Sequence, residues 1–424
     1  MSRILGTYQG LVASCLLGFL QLLQWDFWSS QIGRRLLVPD TYASLRETLR
    51  FSEDAVGFER VYMALYNSSY AGIYIVMLLP FLVLSDNKYL KWFSIPAILC
   101  LVGTMSKTAW TSAFIVGVMG FVLMKKNLRP RFPILIAGII GLLLLFLPTE
   151  DGVRWGDKKL HQISPEKDFV HIVYQGNEIY FSEYLQDGNV KYKIRNQEGE
   201  KISLIWNEER GEMDPTEPQY EGLHFKVYTK DEIAYIVLRY EDVVFRFTDD
   251  LGTGKYEYIS NNGKLDELKN APVVLNVGDG LLNGRGYIWN RTIPLIKDNL
   301  WLGTGPDTFL QVFPQDDYVA RANLGYGFFS EILTNAHSLY LQVILQTGLI
   351  SFGCMAVLVG RYFIRAWRLY AHKESYDRQD KVGIACFLGC VGYLLCGLMF
   401  SSSLCTTPIF MILLGTGMGI LKRT

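Results

Sequence analysis

The chain has 424 residues, of which 50% are hydrophobic and 19% are charged, and its formal net charge at pH 7 is zero. The apolar residues lie in stretches of about seventeen or more with almost no charge, long enough for a helix to cross a bilayer. This distribution excludes a single soluble globular domain, and the balanced charge gives no indication of a nucleic-acid partner. The 7 cysteines lie in or beside apolar stretches without CxxC spacing, so neither a disulfide framework nor a zinc site of that type is expected.

The apolar stretches predict eight transmembrane helices. Their approximate ranges are 4–24, 69–86, 90–105, 108–124, 132–148, 338–360, 383–400 and 406–421. The third and the eighth are short for a bilayer. The first is interpreted as a true span and not as a cleaved signal peptide, because it has no small-residue cleavage site.

Basic residues in the connections predict the orientation of these spans. If the spans alternate, one side of the membrane receives both termini and the loops after spans two, four and six. The basic residues on that side are Arg3, Lys88, Lys91, Lys125, Lys126, Arg129, Arg131, Arg361, Arg365, Arg368, Lys373, Arg378, Lys381, Lys422 and Arg423. Short cytoplasmic loops are rich in Lys and Arg, so both termini are predicted to be cytoplasmic and the long segment after span five extracytoplasmic.

Lys107 departs from this charge pattern. It lies in the tight turn 104–109 between spans three and four, on the predicted outer side. A cation at that position suggests an anionic substrate. The alternative is a lysine whose ammonium group simply reaches the membrane interface.

Residues 158–262 alternate as β strands do, for example in 170–174 and 243–247, and glycine-containing turns separate the runs. Short strands at this spacing predict an antiparallel β domain inserted after span five. We expect it to cover a site or to bind a partner. Its histidines lack metal-ligand spacing and are interpreted as surface or strand residues; they are His161, His171 and His224.

Two arginines follow the insert. Arg285 lies between Gly284 and Gly286, and glycine allows the backbone to approach a ligand closely. A guanidinium offers a planar set of donors that suits phosphate oxygens. The pattern over 288–295 predicts a short amphipathic helix. Arg285 and Arg291 need not share a face of it, so one can be catalytic and the other structural; contact with lipid head groups is the alternative for both.

Two further features of this loop are not interpreted as ligand sites. The turn 303–306 lacks the phosphate-binding GxxxxGK[ST] pattern, so it is not predicted to hold a nucleotide. Asp316 and Asp317 are interpreted as part of a solvated loop in preference to a cation site.

His337 lies at the outer start of span six, with Asn335 as the expected N-cap. Unpaired N–H groups and the helix dipole make that end positive, which favours a nearby anion and a neutral imidazole. A neutral imidazole can accept a proton, as a general base must. The alternative is an interfacial histidine hydrogen-bonded to a loop carbonyl.

Four segments together resemble the O-antigen ligase/polymerase family of membrane glycosyltransferases, over most of the chain except the β insert. They are Arg60-Val61-Tyr62 through Tyr74, which includes Asn67; Ser106-Lys107-Thr108-Ala109; Gly284-Arg285-Gly286-Tyr287-Ile288-Trp289 with Leu302-Gly303-Thr304-Gly305-Pro306-Asp307-Thr308-Phe309; and Asn335-Ala336-His337-Ser338-Leu339-Tyr340-Leu341-Gln342 through Thr347-Gly348.

The resemblance implies a metal-independent, cofactor-free, inverting glycosyltransferase. Its donor is a polyprenyl-pyrophosphate-linked glycan at the outer face of the membrane, and its acceptor is a hydroxyl of a glycan, lipid or protein. His337 is implied as the base or acceptor-orienting group, Arg285 as catalytic and pyrophosphate-binding, and Lys107 and Arg291 as further pyrophosphate ligands. The implied substrate-loop residues are Gly284, Gly286, Trp289, Gly303, Gly305, Asp307, Asn335 and Tyr340.

The chain departs from the family pattern in two ways. Lys107 stands where the family has an arginine, which replaces a bidentate fork with a point charge. Family members also carry several more spans before the region of Asn67, where this chain has one.

The predicted fold class is an all-α polytopic membrane protein of the GT-C-like kind with an inserted extracytoplasmic antiparallel β domain. Its predicted divisions are 1–148 for helices one to five, 149–270 for the β-rich insert, 271–337 for a catalytic loop with an amphipathic helix, and 338–424 for helices six to eight. Two other function classes remain open: a transporter or flippase of lipid-linked sugars, and a non-catalytic cell-surface scaffold with a binding β domain. A transporter should have charged or Pro/Gly-broken positions in the middle of several spans.

Overall fold

The computed structural model describes residues 2–48, 54–55, 58–124, 159–187, 189–231, 233–241, 243–249, 255–260, 262–274, 278–324 and 332–423. They form two compact units. The helical unit comprises Met1–Pro148 and His337–Thr424, and the insert unit comprises Thr149–Ala336. The predicted span 132–148 and the basic residues from Lys125 to Arg131 lie outside the described residues.

The helices are numbered along the chain. They are α1 (Ser2–Leu22), α2 (Gln31–Leu37), α3 (Leu45–Thr48), α4 (Ser68–Val83), α5 (Lys88–Trp92), α6 (Ser94–Gly103), α7 (Lys107–Met124), α8 (Leu281–Asp298), α9 (Phe309–Val312), α10 (Tyr318–Asn323), α11 (Leu339–His372), α12 (Arg378–Cys396) and α13 (Thr407–Leu421). Of these, α8, α9 and α10 belong to the insert unit.

The strands are β1 (Asp54–Ala55), β2 (Phe58–Glu59), β3 (Leu160–Pro165), β4 (Val170–Tyr174), β5 (Asn177–Gln186), β6 (Asn189–Asn196), β7 (Leu204–Asn207), β8 (Glu212–Pro215), β9 (Leu223–Lys230), β10 (Ile233–Tyr240), β11 (Val243–Thr248), β12 (Glu257–Ile259) and β13 (Leu265–Asp266). The pair β1–β2 is a small ribbon in the helical unit. All the others belong to the insert unit.

Small residues bring α4, α7 and α12 into close contact. A Cβ atom at Gly72 of α4 would lie 2.6 Å from the Cβ of Ala109 in α7. A Cβ at Gly389 of α12 would overlap the carbonyl oxygen of Met77 in α4. Helices in a bilayer associate through such close approaches, because lipid provides no hydrophobic drive between them.

The directions of these helices follow from contacts at their ends. Lys381 near the start of α12 pairs with Asp86 just beyond the end of α4, and the hydroxyl of Tyr376 donates to the carbonyl of Leu123 near the end of α7. Hence α12 runs antiparallel to both. At its far end, the carbonyl of Gly397 accepts a hydrogen bond from the N–H of Leu339 at 2.8 Å. The N-termini of α4, α7 and α11 therefore lie at one end of the helical unit.

The opposite end of the unit gathers basic residues. Lys88 follows α4, Arg378 and Lys381 begin α12, and Lys422 ends α13, whose Ile420 lies beside Gly383 of α12. For the residues that the structure describes, this is the grouping that the positive-inside pattern predicts. The side of the membrane on which this end lies stays a prediction.

The helix α11 is interrupted. Gly348 has φ 77° and ψ 171°, so residues 339–347 and 349–372 form two helical segments around a non-helical glycine. This backbone conformation is essentially restricted to glycine, because any Cβ atom would be strained there.

Three described helices, α7, α11 and α12, are long and apolar enough to cross a membrane, and Gly10–Leu22, α4 and α13 are shorter apolar helices. The count of eight spans stays a prediction. The third predicted span, 90–105, stays a prediction, because the structure divides it between α5, which ends at Trp92, and α6, which has only 10 residues, about 15 Å of an apolar core about 30 Å thick. Pro96 has no N–H to donate to the carbonyl of Trp92, which explains the interruption.

The predicted antiparallel β insert is confirmed. One sheet has the order β3-β4-β5-β6 and the other the order β13-β12-β11-β10-β9-β8-β7. Alternate residues point inward, as in β4, where Val170, Ile172 and Tyr174 are fully buried. Phe181 and Phe225, from different sheets, meet edge to face with 5.2 Å between ring centroids, so the two sheets share one core.

The loop that follows the β strands packs on the same core. Val319 and Ala322 of α10 belong to the buried cluster of the insert. The side chain of Asn323 donates to the carbonyl of Leu160 at 2.6 Å and accepts from its N–H at 3.0 Å. The insert and the loop thus fold as one unit, and no break between cores falls at the predicted division at residue 270.

Candidate functional site

Several helix N-termini meet at the end of the helical unit that contains His337. The side-chain oxygen of Asn67 caps α4 by accepting from the N–H groups of Ser69 and Tyr70 at 2.9 and 3.4 Å. Lys107 is the first residue of α7, and α11 begins at Leu339. Each helix N-terminus carries a partial positive charge, so this end of the unit favours anions.

Two of the four family-like segments are in direct contact here. Gly72 of the Asn67 segment packs on Ala109 of the Ser106 segment. Ser106 accepts from the N–H of Ala109 at 3.4 Å through its hydroxyl, which fixes the first turn of α7. Lys107, half-buried, therefore starts a helix whose position is set by both segments.

His337 lies just before α11, half-buried, with the left-handed backbone angle φ 48°. The predicted N-cap is wrong, because the cap residue of α11 is Ser338 and not Asn335. Asn335 precedes the left-handed turn at His337, and its side-chain nitrogen lies 3.4 Å from the hydroxyl of Thr334. Helix α11 consequently begins after the turn, at Leu339.

Tyr340 anchors the start of α11. Its hydroxyl donates to the carbonyl of Leu394 in α12 at 2.8 Å, beside the hydrogen bond between Leu339 and Gly397. These contacts hold the helix that follows His337. The substrate-loop assignment of Tyr340 stays a prediction.

Within the insert unit, the residues around Arg285 form an irregular start of α8. Leu282 and Gly284 have φ angles of 53° and 81°. A Cβ at Gly286 would overlap the carbonyl oxygen of Gly278, so at this glycine it is the protein's own backbone that approaches closely. One guanidinium nitrogen of half-buried Arg285 donates to the carbonyl of Leu282 at 2.9 Å.

Arg291 lies in a buried cluster on the same helix. Its guanidinium pairs with Asp317 at 2.6 Å and with Asp279 at 2.9 Å, and the three side chains are 1–6% exposed. The ring of Tyr287 lies against it at 4.1 Å. Two carboxylates already neutralise this cation, which favours the structural alternative for Arg291; its pyrophosphate-binding role stays a prediction.

The cluster explains two pKa shifts. Burial opposes the charged form of Arg291, but Asp317 and Asp279 outweigh it and raise the pKa of the guanidinium above its usual value. Burial raises the pKa of Tyr287, so its phenol stays protonated. The arginine is therefore fixed as a cation and the tyrosine as a neutral ring.

One hydrogen bond links the Arg285 helix to the segment that leads to His337. The indole N–H of Trp289 donates to the carbonyl of Ala336 at 3.1 Å. Nearby, the side chain of Gln315 donates to the carbonyl of Leu333 at 2.7 Å. The last described residues of the insert unit are thus held against the loop by backbone carbonyl contacts.

The Gly303–Asp307 turn has several left-handed residues. Gly303, Gly305 and Asp307 have φ angles of 73°, 107° and 56°. The hydroxyl of Thr308 donates to the carbonyl of Gly305 at 2.8 Å and closes the turn. The glycines are needed for this backbone path; contact of the turn with a substrate stays a prediction.

Left-handed residues other than glycine mark the candidate segments. Apart from hairpin turns and Gln24, those in the described chain adjoin family-like segments; they are Met63, Tyr66, Met105, Leu282, Asp307 and His337. Such backbone angles cost free energy and persist where the surrounding contacts enforce them, which is frequent at functional sites.

Sequence reasoning missed the partners of Arg291. The interpretation of Asp317 as part of a solvated loop is wrong, because its side chain is 1% exposed. The available signal was the spacing of Tyr287 and Arg291, four residues apart and hence on one helix face. Among the residues that the structure describes, no group of three or more His, Cys, Asp or Glu side chains is placed to bind a metal ion.

The helices and the cation-bearing segments at their ends define a class of protein, a helical membrane protein with an inserted β unit. Comparison with known proteins finds a family similarity for part of the chain. Residues 217–356 match the family model described as O-Antigen ligase, which confirms over this segment the resemblance seen in the sequence. The matched segment contains Arg285, Arg291 and His337. No curated protein and no solved structure matches the chain.

Proposed function

We propose that the protein is a glycosyltransferase that transfers or polymerises glycan from a polyprenyl-pyrophosphate-linked donor at the outer face of the membrane. The match of residues 217–356 to the O-antigen ligase family carries the proposal. The hydrogen bond from Trp289 to Ala336 supports it, because it ties the helix of Arg285 to the residue that precedes His337.

The proposed reaction forms one glycosidic bond and breaks one sugar–phosphate bond. An acceptor hydroxyl attacks the anomeric carbon with inversion, and polyprenyl pyrophosphate leaves with the electron pair of the broken bond. His337 takes the hydroxyl proton or orients the acceptor. Arg285 and Lys107 stabilise the charge that develops on the leaving group, for which fixed cations in a partly dry site are well suited. No metal or other cofactor is invoked.

In this scheme Arg291 does not bind the pyrophosphate; it stabilises α8, the helix that carries Arg285. Its two aspartate partners leave it little charge to offer a pyrophosphate, whereas they fix the helix that carries Arg285. Lys107 brings one charge to an end of the helical unit where α4, α7 and α11 begin. The helix N-termini compensate in part for the missing guanidinium fork at that position.

The test is glycan transfer by the full-length protein in vesicles supplied with a lipid-linked glycan donor. We expect His337→Ala and Arg285→Ala each to lower the rate by about 100-fold or more. Lys297→Ala, an exposed change on the same helix as Arg285, is the matched control and should keep the parental rate. Parental rates for the His337 and Arg285 variants would reject the assigned roles.

One observation favours the flippase alternative, namely the break of α11 at Gly348, since broken helices frequently form transport sites. A flippase would move the lipid-linked donor from one leaflet to the other in vesicles that contain the protein, without forming a new glycosidic bond. Product analysis of the same vesicles separates the two functions, because only transfer lengthens the acceptor glycan.

A further inference from the structure

A large groove lies between α11 and α13 in the helical unit. Its cavity volume is about 900 Å³. Its walls are apolar and belong to Leu349, Ile350, Val357, Leu358, Met418 and Leu421. Several of these side chains are exposed, among them Ile350 at 55% and Val357 at 62%. In a membrane-spanning helix such a surface is offered to lipid chains.

Three cations close one end of the groove, namely Arg361, Arg365 and Lys422. The arginines are four residues apart on α11, so both point to the same side of the helix, and Lys422 is the C-cap of α13. All three are exposed. In the described part of the chain none of them forms an ion pair, and no acidic residue lines the groove. The groove therefore combines apolar walls with an unneutralised positive end.

The spacing of these features fits one lipid leaflet. From Leu349 to Arg361 the helix rises about 18 Å. The hydrocarbon of one leaflet is about 15 Å thick. A molecule that fills the groove thus needs an apolar chain about as long as a leaflet is deep and an anionic group at the interface.

Tyr362 belongs to the same wall, but its hydroxyl is buried. It is 3% exposed and packs on Gly417, and its hydroxyl has no hydrogen-bond partner among the described residues. A buried hydroxyl without a partner is unfavourable.

We propose that this groove is a binding site for an anionic phospholipid. One acyl chain lies between α11 and α13, and the phosphate is held by Arg361, Arg365 and Lys422. Charge complementarity favours this occupant over a neutral lipid or an apolar helix of a second copy, neither of which would neutralise three cations. The site lies at the end of the helical unit opposite to His337, and it does not depend on the proposed transfer reaction.

The experiment measures lipid binding to the full-length protein by native mass spectrometry in detergent, with phosphatidylglycerol and phosphatidylcholine as probes. Phosphatidylglycerol should bind more tightly. The double variant Arg361→Gln/Arg365→Gln should weaken its binding about 30-fold, as expected for two membrane-surface cations. Arg368→Gln is the matched control, since Arg368 is an exposed arginine of the same helix that does not line the groove. Equal binding by the double variant and the control overturns the proposal.

A second variant tests the apolar part. Gly353 lines the groove, and a Cβ there would meet no atom within 4 Å. Gly353→Leu should therefore fill the groove without disturbing the helix and lower phosphatidylglycerol binding with all cations in place. Glycerol phosphate, the head group alone, should not compete. Unchanged lipid binding in Gly353→Leu, competition by glycerol phosphate, or a lipid-free dimer that Gly353→Leu dissociates would each reject the phospholipid as occupant.

Discussion

At the scale of single residues, the central feature is the buried guanidinium of Arg291, which ion pairs within the insert unit hold in place. Arg291 is 3% exposed and contacts two carboxylates and an aromatic ring. Removing one partner from such a buried network leaves unpaired charge in a region of low dielectric, which is strongly unfavourable. Arg285, six residues earlier, is half-buried, and its proposed role is to stabilise charge on the leaving group.

Replacing Arg291 by Met should therefore lower the free energy of unfolding by about 3–5 kcal/mol. The loss arises because Asp279 and Asp317 remain buried without their cation. Chemical unfolding of the purified full-length protein, followed by tryptophan fluorescence, measures it. Lys297→Met removes an exposed cation from the same helix and should change stability by less than about 0.5 kcal/mol. Equal losses in the two variants would show that the buried pairs do not stabilise the loop.

A second residue-scale prediction concerns pH. Burial raises the pKa of Asp214, but hydrogen bonds from Asn207 at 2.9 Å and from His224 at 2.6 Å outweigh it and hold the pKa below its usual value. A lowered folded-state pKa contributes stability above the unfolded value of about 3.9. That contribution is lost as the pH falls through the folded pKa.

Asp214→Asn should therefore make strands β7–β9 less stable than in the parent at pH 7, by about 1 kcal/mol or less. The difference should shrink as the pH falls below the unfolded-state pKa of about 3.9. Hydrogen exchange of these strands, compared with the parent at each pH, measures it. Asp231→Asn in the β9–β10 turn is the control. A gap that widens on acidification would contradict the assigned sign.

At the scale of elements, the break in α11 separates the segment after His337 from the segment that lines the groove. Gly348 has a backbone conformation that other residues avoid, whereas Gly360 lies in the regular part of the same helix with no atom within 4 Å of an added Cβ. The same substitution should therefore have opposite effects at these two positions.

Gly348→Ala should destabilise the protein by about 1–3 kcal/mol or force the helix to straighten. Gly360→Ala should be neutral or stabilising by up to about 1 kcal/mol, because alanine favours the helix. Thermal unfolding of both variants in one detergent provides the comparison. If Gly348→Ala is at least as stable as Gly360→Ala, the break is not a required feature of α11.

At the scale of the whole molecule, charge is unevenly distributed along the helical unit. One end carries Arg378, Lys381 and Lys422, and the other carries the starts of α4, α7 and α11. The positive-inside rule assigns the basic end to the cytoplasm. On this basis we predict that the insert unit is extracytoplasmic, on the side where the proposed glycan donor is bound.

Cysteine labelling tests this orientation. Glu198→Cys, in a turn of the β insert, should react with an impermeant maleimide in intact cells. Ser375→Cys, between α11 and α12, should react only after permeabilisation. Both positions are exposed, and the parent with its native thiols gives the background. The reverse pattern would place the insert unit in the cytoplasm and remove the basis for a donor at the outer face.

Local patterns in the sequence were sufficient for several features. The alternation over 170–174 predicted a strand, and the apolar run over 108–124 predicted α7 nearly residue by residue. Such patterns depend on neighbours within a few residues, so hydropathy and turn-forming residues are sufficient to recognise them. The family-like segments likewise lay within short stretches of chain.

What the sequence by itself determined is thus the class of protein, the antiparallel insert and the segments that the O-antigen ligase match contains. Only the tertiary structure decided that Asp279 and Asp317 enclose Arg291, that α11 begins only after Ser338, and that α11 and α13 form a groove with cations at one end. The physical reason is that burial and ion pairing depend on residues that are distant in the chain. Local periodicity does not predict which of these residues come into contact.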